Sequence, residues 1–174
     1  MIYKFLFFYS LTFSCFAQSI HDLVRKGDLI SVKKLLDEEP NQVNQLSEQG
    51  LSPFLLAAYR GNNDIAKLLV ERGADVKACF SEGSALYGVI YKNNIEIFQV
   101  LLEQGVTVND TCHFAQYGTP LHFAMKLKRY ELVKLILKQK PNTDIPDPEG
   151  KLLQELLTMY ADEKLSNLFK MDEK

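Results

Sequence analysis

The 174-residue chain has no tryptophan, only three histidines and three cysteines, and no marked excess of either charge. Little imidazole and thiol leaves little material for a metal centre, and His113 beside Cys112 is a pair of neighbours, not a tetrahedral ligand set. No H-E-x-x-H, G-x-S-x-G, phosphate-cradling glycine loop or CxxC pair occurs, so neither enzymatic activity nor a cofactor is expected. The formal charge of -2 exerts no long-range pull on nucleic acid or anionic lipid. Lys126, Lys128, Arg129, Lys134, Lys138 and Lys140 do cluster around a single Glu131, but such a cluster is ordinarily the solvated face of a helix, and no nucleic-acid partner is expected. Long polar tracts are also missing. With 47% apolar and 24% charged residues, the composition is that of a folded domain.

The first residues differ from the rest. One cation, Lys4, precedes the mostly apolar run from Phe5 to Phe16, and Cys15-Phe16-Ala17 places small residues where a signal peptidase reads. Residues 1–17 are therefore read as a secretory signal cleaved after Ala17, implying a periplasmic or secreted protein. About 12 residues of helix span only ~18 Å, short of the ~30 Å of bilayer hydrocarbon, so no membrane insertion is expected. Acylation at Cys15 is the alternative, which would make the chain an envelope lipoprotein with a structural role. Cleavage removes Lys4 alone, so the formal charge of -2 becomes -3.

Residues 18–174 show a period of about 33. Gly118-Thr-Pro-Leu-His-Phe-Ala124 leads into Leu135-Ile136-Leu137. About 67 residues earlier, Leu51-Ser-Pro-Phe-Leu-Leu-Ala-Ala58 leads into Arg60-Gly61, Leu68-Leu69-Val70 and Gly73-Ala74-Asp75. Ser84-Ala-Leu-Tyr87 opens a unit between them, and Ile20-His21-Asp-Leu23-Val24 opens one ahead. Each unit has a helix start, a turn residue about nine positions later and a second helix with paired apolar residues. Ser52 and Thr119 suit helix N-caps, with Pro53 and Pro120 at the first helical position. Gly27, Gly61 and Asn93 suit the tight turn between helices. Lys128 suits it less, so the fourth unit is expected to turn differently. The second helices are expected to bury Val32, Leu35 and Leu36; Ile65, Leu68 and Leu69; Ile97, Leu101 and Leu102; and Val133, Ile136 and Leu137. One unit cannot bury such a face alone, but stacked units can.

These residues resemble the ankyrin repeat, with its pattern T-P-L-H-x-A-A-x-x-G, then V-x-x-L-L and G-A-D. The resemblance implies an all-α solenoid of four helix-turn-helix repeats, at approximately 18–45, 46–78, 79–110 and 111–145, closed by a degenerate capping repeat at 146–174. It further implies a non-enzymatic module, acting as a monomer, that binds a protein partner through its concave face. In that family the turns between repeats and the exposed ends of the first helices engage partners. Here those positions include Arg25, Lys26, Glu48, Lys92 and Lys126, and a strip of Tyr59, Arg60, Phe80, Tyr91, Phe114 and Tyr117 has the composition of interface anchors. Phe80 and Phe114 have an alternative, folding inward over the core. His21 and His122 are expected to tie a helix start to a neighbouring turn. An immunity or inhibitor protein masking a toxin or enzyme, an accessory of an envelope enzyme, and a host-directed factor all fit such a module.

Cys79 and Cys112 remain after cleavage, in a compartment where thiols pair. In regular repeats such positions are ~10 Å apart, beyond the ~7 Å Cα separation a disulfide tolerates. That favours two separate thiols. A bridge stays open because the unit at Ser84 is a residue short and residues 111–118 are longer than the pattern.

Overall fold

The computed structural model describes residues 18–80, 83–110, 112 and 114–172, with side chains at all of these except Phe114, Ala115, Met171 and Asp172. Residues 1–17, read above as a secretory signal and including Cys15, and His113 lie outside the described residues. Helices come in antiparallel pairs. α1 (Ile20–Lys26) pairs with α2 (Leu29–Glu38), α3 (Pro53–Arg60) with α4 (Asn63–Glu71), and α5 (Ala85–Lys92) with α6 (Ile95–Glu103). A four-residue helix, α7 (Phe114–Tyr117), precedes the pair α8 (Pro120–Lys126) and α9 (Tyr130–Leu137). The last pair is α10 (Leu153–Tyr160) and α11 (Glu163–Asp172). The first helices α1, α3, α5 and α8 stack in one row, and the second helices stack behind them. Residue 18 onward is thus an all-α solenoid of helix-turn-helix units. No helix among the described residues is long and apolar enough to cross a membrane.

Local chemistry starts each helix. The Ser52 hydroxyl accepts from Leu55 N–H at 3.1 Å, and Pro53 follows at the first helical position, where a missing N–H goes unnoticed. Thr119 and His122 form a reciprocal cap. Nδ1 of His122 accepts from Thr119 N–H at 3.1 Å, and the Thr119 hydroxyl accepts from His122 N–H at 3.4 Å. Ser84 takes another partner, donating its hydroxyl to Asp110.

The turn inside each of the first four units repeats one hydrogen bond. Asp28, Asn62, Asn94 and Arg129 donate backwards to the carbonyls of Leu23, Ala57, Val89 and Ala124 at 2.9–3.1 Å. The residue before each donor is left-handed: Gly27, Gly61, Asn93 and Lys128, with φ of 73°, 73°, 55° and 54°. The fourth unit therefore turns like the others, contrary to the expectation from Lys128. A left-handed non-glycine residue costs ~1–2 kcal/mol. At Lys128 the side chain offsets part of that by reaching Asp162 of the next unit at 3.1 Å.

The core runs continuously along the stack. Val24, Leu55, Leu69, Leu86, Leu101, Ala124, Val133 and Ile136 are fully buried. The expected second-helix positions are buried except Leu35 and Leu102, which are half-buried against the same core. The fifth pair joins mainly by α11 packing on α9. A recess remains between α8 and α10, lined in part by Tyr117, Lys126, Met159 and Tyr160.

Candidate binding face

The row of first helices presents its last turns side by side. Tyr59 and Arg60 end α3, Tyr91 and Lys92 end α5, and Lys126 ends α8. Tyr59 lies across the neighbouring helix because Gly88 has no side chain. A Cβ there would stand 3.1 Å from the Tyr59 ring. Tyr91 comes three residues after Gly88, on the same face of α5, and is 53% exposed. Arg129 crosses from the fourth unit and donates from Nη2 to the Tyr91 carbonyl at 2.8 Å. It thereby supplies a partner to one of the carbonyls that a helix end leaves open. Arg60, Lys92 and Lys126 are exposed.

The other predicted positions gather at the opposite ends of these helices, a helix length of ~12 Å away. Phe80 and Gly83 exchange two backbone hydrogen bonds at 3.0 and 3.3 Å, and the Phe80 ring is half-buried against the core. Tyr117 packs 4.7 Å from Phe123 and 5.9 Å from Tyr87, measured between ring centres, and is half-buried. Phe114 opens α7, so its backbone stands beside Tyr117, three residues away. The six residues thus form two sets. Tyr59, Arg60 and Tyr91 lie by the inner turns, and Phe80, Phe114 and Tyr117 by the long connections.

Cys79 and Cys112 are joined by a disulfide, with Cα atoms 5.8 Å apart. This overturns the expectation of separate thiols. The reason lies in Asp110, whose carboxylate accepts from the Ser84 hydroxyl and, at 2.8 Å, from Cys112 N–H. Held on this anchor, Cys112 stands two residues before α7 and close to Cys79, nearer than regular repeats would leave it. Cys79 is exposed and Cys112 half-buried.

Met159 and Tyr160 belong to the same surface and were not singled out from sequence. They stand 33 residues after Lys126 and Leu127, one repeat period on, so register alone could have found them. His21 and His122 are structural. His21 Nε2 donates to the Leu51 carbonyl at 2.9 Å, tying the first unit to the turn of the second. Burial lowers the affinity of both His21 and His122 for a proton. Among the described residues, no group of three His, Cys, Asp or Glu side chains could hold a metal ion.

A family model for ankyrin repeats in three copies matches residues 20–112, and a single-repeat model matches 118–148. The chain is 37% identical over 91 residues to the ankyrin repeat and SAM domain-containing protein 6 of Rattus norvegicus, covering 51% of this chain and 10% of that protein. It is 29% identical over 163 residues to the E3 ubiquitin-protein ligase XBAT33 of Arabidopsis thaliana, covering 86% and 32%. Against the putative ankyrin repeat protein FPV014 of fowlpox virus it is 32% identical over 112 residues, covering 64% and 25%. The chain thus spans about a third or less of these curated relatives. The paired helices, their recurrent turn and two matching family models together make this chain a member of the ankyrin-repeat family, whose repeats are protein–protein interaction modules.

Proposed function

We propose that the protein is an exported, monomeric binding module without catalytic activity. In this reading residues 1–17 direct export and are removed after Ala17, and 18–174 form the ankyrin domain that acts in the periplasm or outside the cell. The domain grips a protein partner with its inner face, through Tyr59, Arg60 and Tyr91 at one end of the first helices and Phe80, Phe114 and Tyr117 at the other. The observation that carries export is the Cys79–Cys112 disulfide, because such bonds persist in oxidising compartments and are rare in the cytosol. The aromatic and arginine content of the inner face supports its role as an anchor surface.

Two measurements test the reading. Mass spectrometry of the protein from its native host should find the N-terminus at Gln18, and an intact Met1 in a cytosolic fraction would refute export. For the face, Tyr91→Ala, at a side chain 53% exposed, should weaken capture of the native partner by at least ~1 kcal/mol, about fivefold, with the melting temperature little changed. Lys134→Ala and Lys138→Ala, on and just after the outer helix α9, should leave capture unaltered. The reverse pattern refutes the assignment.

A further inference from the structure

Charge is sorted between the two rows of helices. The first helices carry five cations, Arg25, Lys26, Arg60, Lys92 and Lys126, against two carboxylates, Asp22 and Glu155. All five cations sit in the last turns of α1, α3, α5 and α8 and all are exposed. Arg25 pairs with Asp22 of its own helix at 3.1 Å; no ion pair engages the other four among the described residues. Basic residues at a helix C-terminus complement the helix dipole, which would by itself explain the row. The second helices argue otherwise. α2, α4 and α6 have no basic residue in the last turn and end on Glu38, Glu71 and Glu103, against the dipole, while α9 and α11 carry Lys134 and Lys170 there. As a row the second helices carry nine carboxylates against six cations, the reverse of the first row, and the dipole alone does not give that reversal.

Resting on the reading that the inner face is the binding surface, we infer that its partner presents an acidic polypeptide segment, laid across the repeats with carboxylates meeting Arg60, Lys92 and Lys126 in turn. Tyr59 and Tyr91 lie among these cations and offer apolar flanks to the residues between the acids. Neighbouring helices are ~10 Å apart, close to the ~9 Å rise of one three-residue turn of a polyproline II chain, whose every third side chain lies on the same side, so acids at every third position fit the row. The spacing suits a peptide better than a nucleic acid. A DNA strand carries a phosphate every ~3.4 Å, several for each cation offered here, and the protein as a whole is net negative.

The test uses the purified, oxidised protein and three fluorescent probes. These are a peptide of about 20 residues with Glu at every third position among Leu and Ser, its Gln counterpart, and a single-stranded oligonucleotide of matching length. At low salt the Glu peptide should bind at least ~10-fold more tightly than the Gln peptide, and this advantage should shrink as salt rises. The combined Arg60→Glu, Lys92→Glu and Lys126→Glu variant should lose it. The combined Lys33→Glu, Lys134→Glu and Lys138→Glu variant, with the same change in charge away from the inner face, should keep it. If the first triple variant does not fold, the single changes Arg60→Gln, Lys92→Gln and Lys126→Gln should each weaken the Glu peptide about threefold.

Equal binding of the Glu and Gln peptides overturns the inference, as does full binding by the inner-face variants or tighter binding of the oligonucleotide. The native partner separates this failure from that of the underlying reading. A partner lost with Tyr91→Ala but kept by the folded inner-face charge variants leaves the inner face as the binding surface and removes the acidic segment. A partner kept by all of them removes both.

Discussion

Tyr87 stands at the repeat position that His21 and His122 occupy in their own units, and it does their work by other means. Its ring is fully buried, and its hydroxyl donates to the Gly118 carbonyl at 2.6 Å, tying the third unit to the start of the fourth. Burial pushes the Tyr87 hydroxyl far above its ordinary pKa, so it remains a donor at any pH the protein meets. Tyr87→Phe keeps the ring and strands that carbonyl, and should cost ~1–3 kcal/mol in urea denaturation. An unchanged midpoint would show that the bond contributes nothing. The two histidines make stability depend on pH. Burial holds both folded pKa values below the ordinary imidazole value of about 6.5. Above the unfolded value both states are neutral and stability is complete. As pH falls through 6.5 towards the folded values, the unfolded chain takes up protons first, so stability declines. For His122 a proton on Nδ1 would also remove the acceptor that Thr119 N–H uses. The melting temperature should therefore drop between pH 7 and 5, and a flat profile would contradict the buried, neutral assignment.

The helices draw their stability mainly from neighbours. Helices of seven to ten residues are too short to persist alone in water, and their apolar stripes find partners only in adjoining units. Leu69 and Leu101, both fully buried, fill equivalent places in α4 and α6. Replacing either with alanine should cost ~2–5 kcal/mol through lost burial and a residual cavity. Thermal melts close to wild type for both would refute that packing. These elements were legible because the signals are local: serine or threonine before proline at a start, glycine or asparagine at a turn, paired apolar residues thereafter. What escaped was non-local. The left-handed Lys128 is held in part by Asp162, 34 residues on, and the placement of Cys112 is set by Asp110 and Ser84, which no spacing rule connects. The candidate positions for binding come from register alone. Their division into two sets depends on Tyr117 joining Tyr87 and Phe123, a ring cluster assembled from two units.

Across the whole molecule, repeats contact only their neighbours, so the array is open to fraying from either end. The Cys79–Cys112 bond closes a loop over a sequence separation of 33, and such a closure typically contributes ~2–4 kcal/mol, chiefly by restricting the unfolded chain. Denaturation with and without dithiothreitol should differ by that amount, and a curve indifferent to reductant would dismiss the contribution. The same bond has a mechanical meaning. If the array were drawn out by its termini, the stretch between the two cysteines could not lengthen, because tension would pass through the sulfur atoms and bypass one full repeat. At ~3.4 Å per extended residue, the oxidised chain should reach roughly 100 Å less far than the reduced one. Pulled from both sides, the third and fourth repeats would stay linked after the rest had become a thread.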